Sequence, residues 1–267
     1  MQKTILILLL SLGCLMVSAQ NENNTSVSPK KKHQICLGIE GGSRSFDTKS
    51  RDYEFIRAQA VYYFGYHNEH SQLSWFTYAP FIALKAEYRS YNDKFWMSTG
   101  LRYSSIKTIM GSYSDYANNT DYFFVMLSQN QEETHYYRIN EIRETSQYVG
   151  VPVEIRYSPF LPRFFRLYFK MAIDLNYKLA NKREVEFFDP AMKFHEKEIA
   201  GLFDQPGSFY AAVDFGVGIQ LGRQNKPNLR LEGDFPSFVL TPEAFGLADN
   251  TFGGGVRISF IFPLKTK

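Results

Sequence analysis

The stretch FFRLYFKMAIDLNYKL at residues 164–179 is the feature that most restricts the fold. Every second residue from Phe165 to Leu179 is apolar, while Arg166 and Lys170 occupy the other register. Strict alternation predicts a β-strand, because successive side chains of a strand point to opposite faces. Strands of globular proteins usually have about five or six residues. A stripe this long therefore predicts a strand with one extended apolar face.

The same period of two recurs along the chain and predicts a barrel. Eight stretches carry it, at about 34–46, 80–90, 95–108, 145–157, 164–179, 208–222, 227–238 and 251–264. The connections between them alternate between short segments such as SPFLPR and long segments such as 109–144. Short turns at one end, long loops at the other and an even strand count are typical of a transmembrane barrel. We therefore expect an all-β, eight-stranded antiparallel up-and-down barrel with both chain ends on the short-turn side.

The polar positions of these strands indicate whether the apolar face points into the barrel or to its outside. A soluble barrel has its apolar face inside, whereas a membrane barrel has it outside. Acidic and basic residues are nearly balanced in the polar register, and no Lys or Arg occupies a mid-membrane position of the apolar register. Because buried charges must be paired, we expect a lipid-facing exterior and a plugged, charge-paired lumen. The predicted lumen charges are Glu40, Lys85, Glu87, Arg89, Arg102, Glu154, Arg156, Arg166, Lys170, Asp174, Asp214, Arg230, Glu232, Asp234 and Arg257.

The N-terminus has the three parts of a secretory signal. Lys3 precedes an apolar run from Ile5 to Val17, and small residues lead to a cleavage site near Ala19/Gln20. An exported barrel of this kind is expected to be an integral protein of the outer membrane, in contact with outer-membrane lipid.

The signal segment also sets the predicted domain boundaries. We expect a signal peptide over 1–19, a polar N-terminal lead over 20–33 and a barrel domain over 34–267. Cys14 leaves with the signal peptide, so Cys36 alone remains and no intramolecular disulfide is expected.

Several functional classes have little support in the sequence. A net charge of +3 without a basic stripe excludes a nucleic-acid partner. The pair His67 and His70 has zinc-ligand spacing only on a helix, so no metal or cofactor is expected. All five histidines lie outside the strand interiors, where no nucleophile is spaced to meet them, and the chain is therefore expected not to be an enzyme.

Three blocks of the sequence carry a resemblance to a known family. They are PFIALKAEYRSYNDKFWMSTGLRYSS, YVGVPVEIRYSPFLPRFFRLYFKMAIDLNY with its central Pro152, and FYAAVDFGVGIQLGRQNKPNLRLEGDF followed by GGGVRISFIF. Together they resemble the PorT-like outer-membrane β-barrel family of the Bacteroidota. The resemblance implies a barrel with no shared catalytic residues, and an accessory part in type IX secretion. Such barrels often end on an aromatic residue, whereas residues 263–267 follow Phe262 here, so the insertion signal would be internal.

The long loops are rich in aromatic residues and suggest a binding surface, because Tyr and Trp dominate binding hot spots. An alternative is that segments 54–65 and 119–128 are strands, which would give a ten-stranded barrel. The candidate surface residues are Tyr62, Tyr63, Tyr66, Trp75, Tyr113, Tyr116, Tyr122, Tyr136 and Tyr137.

These observations favour a cell-surface binding or scaffolding component that meets a protein partner through its extracellular loops. A small-diameter pore and a membrane-embedded lipid-modifying enzyme are the alternative functions.

Overall fold

The computed structural model describes most of the chain after the polar lead. The described residues are 34–51, 53–58, 61–63, 66–68, 72–90, 94–113, 122–129, 133–160, 164–223, 226–241 and 244–264. The signal peptide, its cleavage site and the lead lie outside these residues, so their boundaries stay predictions.

The described residues form twelve β-strands, one 3-10 helix and one short α-helix. The strands are β1 (Gln34–Ser50), β2 (Ile56–Ala58), β3 (Val61–Tyr63), β4 (Tyr66–Asn68), β5 (Gln72–Arg89), β6 (Phe95–Tyr113), β7 (Phe123–Gln129), β8 (Glu133–Tyr157), β9 (Phe165–Phe187), β10 (Phe209–Leu221), β11 (Asn228–Val239) and β12 (Ala248–Pro263). The 3-10 helix spans Pro190–His195, and α1 spans Glu196–Gly201.

Eight of the strands close into a ring. Their order is β8-β6-β5-β1-β12-β11-β10-β9, and β9 pairs with β8 to complete the circle. Neighbouring strands in the ring are antiparallel. Closure gives every wall strand a partner on both sides and removes the exposed edges of an open sheet. The predicted eight-stranded antiparallel barrel is confirmed.

The segments that suggested a ten-stranded barrel do add two strands, β2 and β7, to a ten-stranded sheet, but the closed ring itself has eight strands. β7 pairs with Glu133–Ile139 of β8, while β6 pairs with β8 only from Glu141 onward. β2 then pairs with β7. These two strands therefore extend one side of the barrel beyond the wall, on the long-loop side, and do not enter the ring.

The two ends of the barrel differ as predicted. Gln34 near the start of the described chain pairs with Arg89, and Cys36 pairs with Pro263 near its end. At that same end, Leu221 at the end of β10 pairs with Phe165 at the start of β9 and with Leu229 near the start of β11. The two ends of the described chain, Gln34 and Leu264, therefore share one end of the barrel with the short turns, and the long loops gather at the other.

The wall has the reverse of the polarity of a soluble protein. On β9, Phe169 is 52% exposed on the outside, whereas Asp174 is 1% exposed on the inside. The same strand presents Phe165, Leu167, Phe169, Leu175, Tyr177 and Leu179 as exposed apolar side chains. Such an extended apolar surface indicates contact with lipid or with another protein.

The two faces of β9 can be tested with adjacent substitutions. Ile173→Arg places a charge on the apolar face, at a cost of about 2–4 kcal/mol at mid-membrane, and we expect it to impair insertion. Asp174→Asn removes one buried carboxylate, and we expect normal insertion with a free energy of unfolding lower by about 3 kcal/mol. Heat-modifiable gel migration after refolding into vesicles measures insertion, and urea titration measures stability. Equal insertion of the two variants, or the reverse order, would contradict the assignment of the faces.

Candidate functional site in the lumen and loop cap

The lumen holds a network of ion pairs to which all eight wall strands contribute. Each of the fifteen predicted lumen charges is buried, with exposures of 6% or less. The structure adds Arg44, which is 3% exposed. It lies in the same register of β1 as Glu40, so the period of two could have identified it.

Arg257 of β12 is the most connected member of the network. Its guanidinium donates to Asp234, to Asp214 over 2.6 Å and to Glu154 over 3.0 Å. Glu40 lies 3.5 Å from the same group. One side chain thus joins the carboxylates of four other strands across the barrel.

Asp174 and Asp214 form a second centre beside Arg257. Asp174 accepts hydrogen bonds from Arg44 and from Arg102, and Arg44 also donates to Asp214. The Arg102 guanidinium lies 4.4 Å from the ring centre of Phe81. Two arginines from β1 and β6 are therefore held against carboxylates from β9 and β10.

A layer nearer the short turns repeats this arrangement with lysines. Lys85 donates to Glu154 over 2.7 Å and Lys170 donates to Glu232 over 2.8 Å. Arg156 joins the two pairs, because it lies 2.7 Å from Glu154 and 2.8 Å from Glu232.

A tryptophan fills the short-turn end of the lumen. Arg230, Arg166 and Arg89 lie 4.7, 5.4 and 5.8 Å from the ring centre of Trp96. Arg230 also donates to Glu87 over 2.8 Å. Trp96 is fully buried, so this end is packed with side chains.

Tyrosines occupy the remaining lumen. Tyr148, Tyr168 and Tyr210 are almost fully buried. Tyr168 donates to Glu232 over 2.8 Å, and a Cβ at Gly218 would collide with its ring. Glycine in β10 therefore provides the space that a large lumen side chain needs.

The long-loop mouth is closed by the connection between β11 and β12. Ala244, Phe245 and Leu247 are buried there. The Phe245 ring lies 5.5 Å from that of Phe46. The Tyr148 hydroxyl donates to the carbonyl of Ala244 over 3.0 Å. We call this segment, residues 244–249, the plug loop.

Arg183 anchors the segment after α1 to the wall. It donates to the carbonyls of Ala200, Phe203 and Asp204 over 2.6, 3.1 and 2.6 Å. It also pairs with Glu144, whose other oxygen accepts the backbone N–H of Gly246 over 3.0 Å. One buried ion pair thus connects β8 and β9 with two loops.

Arg51 and Tyr53 hold the plug loop from the opposite side. Arg51 donates to Asp249 over 2.9 Å and to the carbonyl of Phe245 over 3.0 Å. Tyr53 donates to the carbonyl of Gly246 over 3.0 Å. Burial raises the pKa of Tyr53 to about 12, so its hydroxyl remains a donor well above neutral pH.

At the long-loop end, beyond the plug loop, the long loops form an apolar core of their own, which we call the loop cap. Partly buried residues that include Tyr53, Phe55 and Trp75 pack against this core. Its buried members are Ile56, Met110, Phe123, Val125, Leu127, Tyr137, Ile139, Ile142, Val185, Phe187, Ile199, Phe203 and Leu247.

The loop cap explains much of the aromatic excess and corrects the predicted binding surface. Tyr137 is only 6% exposed and Trp75 packs on the cap core, so neither is a surface residue free to bind a partner. Tyr136 is 61% exposed, and Tyr122 is half-buried. The remaining candidates have side chains outside the described residues, and they are Tyr62, Tyr63, Tyr66, Tyr113 and Tyr116.

One cluster of aromatic side chains does remain on the surface of the loop cap, and we call it the aromatic face. The Tyr122 ring lies 5.4 Å from Phe124 and 5.1 Å from Phe188. Phe124 lies 6.4 Å from Tyr136. Arg138 covers Phe188 and Tyr122 at 5.0 and 5.7 Å. Sequence reasoning placed Tyr122 and Tyr136 on a binding surface but missed the contribution of Arg138 and Phe188.

A histidine beside the loop cap lies near groups that could support proton transfer. His195 Nδ1 lies 3.0 Å from Glu198, and the Tyr137 hydroxyl lies 3.2 and 3.5 Å from its two ring nitrogens. The Tyr137 hydroxyl is thus shared between the two ring nitrogens and is not held by one of them. Among the described residues, no group of three or more His, Cys, Asp or Glu could hold a metal ion. In the same part of the chain, no helix is long and apolar enough to cross a membrane.

Comparisons with known proteins find similarity in structure only. No protein-family model and no curated protein matches the chain, so the resemblance to the PorT-like family stays a prediction. The outer membrane protein OprG from Pseudomonas aeruginosa is 10% identical with a TM-score of 0.44, and the match covers 88% of this chain and 98% of OprG.

Two further solved structures are similar at lower scores. The transport unit of the autotransporter AIDA-I from Escherichia coli is 8% identical with a TM-score of 0.25, covering 96% of this chain and 98% of that one. An outer membrane channel from Pseudomonas putida F1 is 7% identical with a TM-score of 0.26, covering 90% and 100%. Because these scores are low, the architecture rests on the strand pairing described above.

Arg183→Gln tests the anchor of the loops at the mouth. The substitution leaves Glu144 buried without its cation, at a cost of about 3–5 kcal/mol, and we expect the 196–207 and 244–249 segments to open. Limited proteolysis should cut these segments, while heat-modifiable migration of the barrel is unchanged. Glu186→Gln, an exposed change on the same strand, is the matched control and should leave the cleavage pattern as in the wild type. If these segments of Arg183→Gln resist proteolysis as well as those of the wild type, the anchoring role is contradicted.

Proposed function

We propose that this chain is an integral outer-membrane barrel with a closed lumen, and that its loop cap binds a protein partner at the cell surface. The observation that carries the membrane assignment is the inverted polarity of a closed ring, with ion pairs inside and exposed apolar side chains outside. Lipid hydrocarbon can cover such a wall, because ring closure satisfies the backbone hydrogen bonds within the barrel.

The length of the wall strands supports the same assignment. A tilted strand needs about nine to eleven residues to cross a bilayer, and β9 alone has 23 residues. The part of β9 beyond Leu179 changes character, since Lys182, Glu184 and Glu186 are its outward residues. The apolar part is therefore long enough to span a bilayer, and the charged part extends beyond it.

The packing of the lumen favours a scaffold over a pore. Eight strands enclose a space that side chains can fill, and here ion pairs, Trp96 and three tyrosines occupy it from the short-turn end to the plug loop. Opening a path would require several buried ion pairs to separate together. A small-diameter pore is therefore the weaker proposal.

A partner-binding role is supported by the composition and rigidity of the aromatic face. Exposed Tyr and Arg side chains are typical of residues that dominate binding energy at interfaces. The strands that carry them are fixed by the core of the loop cap, so little conformational entropy would be lost on binding. We extend the proposal to a role without catalysis. At His195, the Tyr137 hydroxyl is shared between both ring nitrogens and is not held by one of them, and this supports the extension. An accessory part in type IX secretion is a finer form of this proposal that rests on the family resemblance alone.

The closed lumen can be tested by conductance. Purified barrel in planar bilayers should show no steady single-channel current, because the charged side chains fill the interior. Arg183→Gln, which loosens the mouth only, should remain as silent as the wild type, since the ion pairs below the plug loop are unchanged. Large, steady currents from the wild type would refute the closed lumen and favour the pore.

The aromatic face can be tested by partner retention. Proteins that co-purify with the wild type from native membranes after crosslinking should be lost from a Tyr136→Ser/Arg138→Ser variant, with an affinity at least about tenfold lower. Phe194→Ser, which removes another exposed aromatic side chain from the 3-10 helix, is the control and should retain the partner. Retention of the partner by the double variant would move binding away from the aromatic face. Heat-modifiable migration should be the same for all three proteins.

A further inference from the structure

Three basic side chains meet on the outer surface of the barrel, where the apolar stripe ends. Lys107 of β6 and Lys182 of β9 are both cross-strand partners of Thr145 on β8. Arg143 lies two residues along β8 from Thr145 and on the same face. Directly opposed positions are about 5 Å apart and diagonal ones about 7–8 Å. The three cations therefore surround Thr145 at a spacing that one anion can bridge.

The basic cluster lies close to the apolar wall. Tyr103, Val149 and Tyr177 form a cross-strand row on the outer face, four residues along β6 and β8, and five along β9, toward the short turns. At about 3.3 Å per residue, that row is roughly 13 Å away along the strands. Tyr177 is 61% exposed. Tyrosines at this position are typical of the boundary between hydrocarbon and head groups.

A groove joins the basic side chains on the surface of the three strands. Its volume is about 320 Å³, and Gln147 and Asn181 add polar groups to its lining. The Lys107 ammonium lies 5.7 Å from the ring centre of Tyr78 on the neighbouring strand. The groove therefore has hydrogen-bond donors on three strands and an aromatic side chain at its border.

Two carboxylates lie beside the cations: Glu184 stands opposite Arg143 and lines the groove, and Glu141 lies two residues along β8 from Arg143. Lys182 is 2.5 Å from Glu184, and Arg143 is 2.5 Å from Glu141. Both acids belong to rows farther from the tyrosines than Thr145. Within the groove lining, the three cations stand against one carboxylate, Glu184. Glu141 and its cross-strand partner Glu186 lie farther from the apolar wall, and the row nearest the wall, that of Lys107, Thr145 and Lys182, is the basic one.

We propose that Lys107, Arg143 and Lys182 form a binding site for the phosphate of a phosphorylated glycolipid in the leaflet on the long-loop side. This inference rests on the proposed membrane location. The phosphate would lie over Thr145 between the three cations, and the acyl chains would follow the outer face past Tyr103 and Tyr177. Continuity between the basic groove and the apolar wall favours a lipid over a free anion, because a free anion gains nothing from the wall.

Native mass spectrometry of the folded full chain in detergent, titrated with lipid, provides the test. The probes are bisphosphorylated lipid A and the same lipid A after enzymatic removal of its phosphates. We expect the phosphorylated lipid to bind at least about tenfold more tightly. Lys107→Gln/Lys182→Gln should lose most of this preference, whereas Lys197→Gln/Lys226→Gln, which removes the same charge from α1 and a short turn, should keep it.

The outcomes separate this inference from the membrane proposal. Equal binding of the two lipid forms, or wild-type binding by Lys107→Gln/Lys182→Gln, would overturn the phosphate site while heat-modifiable insertion into vesicles stays intact. Inorganic phosphate that binds as tightly as the phosphorylated lipid would overturn the choice of a lipid. Failure of the wild type to insert at all would instead refute the membrane barrel.

Discussion

The structure depends on the neutralisation of charge inside a narrow ring. An apolar exterior leaves the inner register to hold the polar side chains, and eight strands leave no room for bulk water among them. Each charged group must then be offset by another, since a buried ion without a partner costs several kcal/mol. Arg257 shows the consequence, because its guanidinium meets carboxylates from four different strands. Ion pairs that span the lumen therefore also fix which strands face each other.

The wall could be predicted from the sequence because its rules are local. A period of two assigns each residue to a face, and near balance of charge in one register assigns that face to the lumen. Even Arg44, which was missed, follows from the position of Glu40 four residues earlier. The sequence pattern did not predict which carboxylate pairs with each cation, because partners such as Arg44 and Asp174 are 130 residues apart in the chain.

The loop cap could not be predicted, because its contacts join segments with no common period. Arg183 binds carbonyls at the end of α1 and just after it, as well as the carboxylate of Glu144. Nothing in the sequence around Arg183 distinguishes it from an exposed arginine. Phe245 similarly lies in a loop of ordinary composition yet closes the mouth. Both depend on where separate loops meet, which only the closed ring determines.

The tyrosines show that the register of a residue in its strand decides whether its side chain is buried or exposed. On the part of β8 that extends beyond the wall, Tyr137 is buried in the loop cap, while its neighbour Tyr136 is 61% exposed. On β9, Tyr168 lies in the lumen and Tyr177 on the outer wall. A count of tyrosines in a loop therefore overstates its binding surface, because about half of any strand faces a core. In the proposed function, the aromatic face suits a partner because the buried half of the same strands holds the exposed half in place.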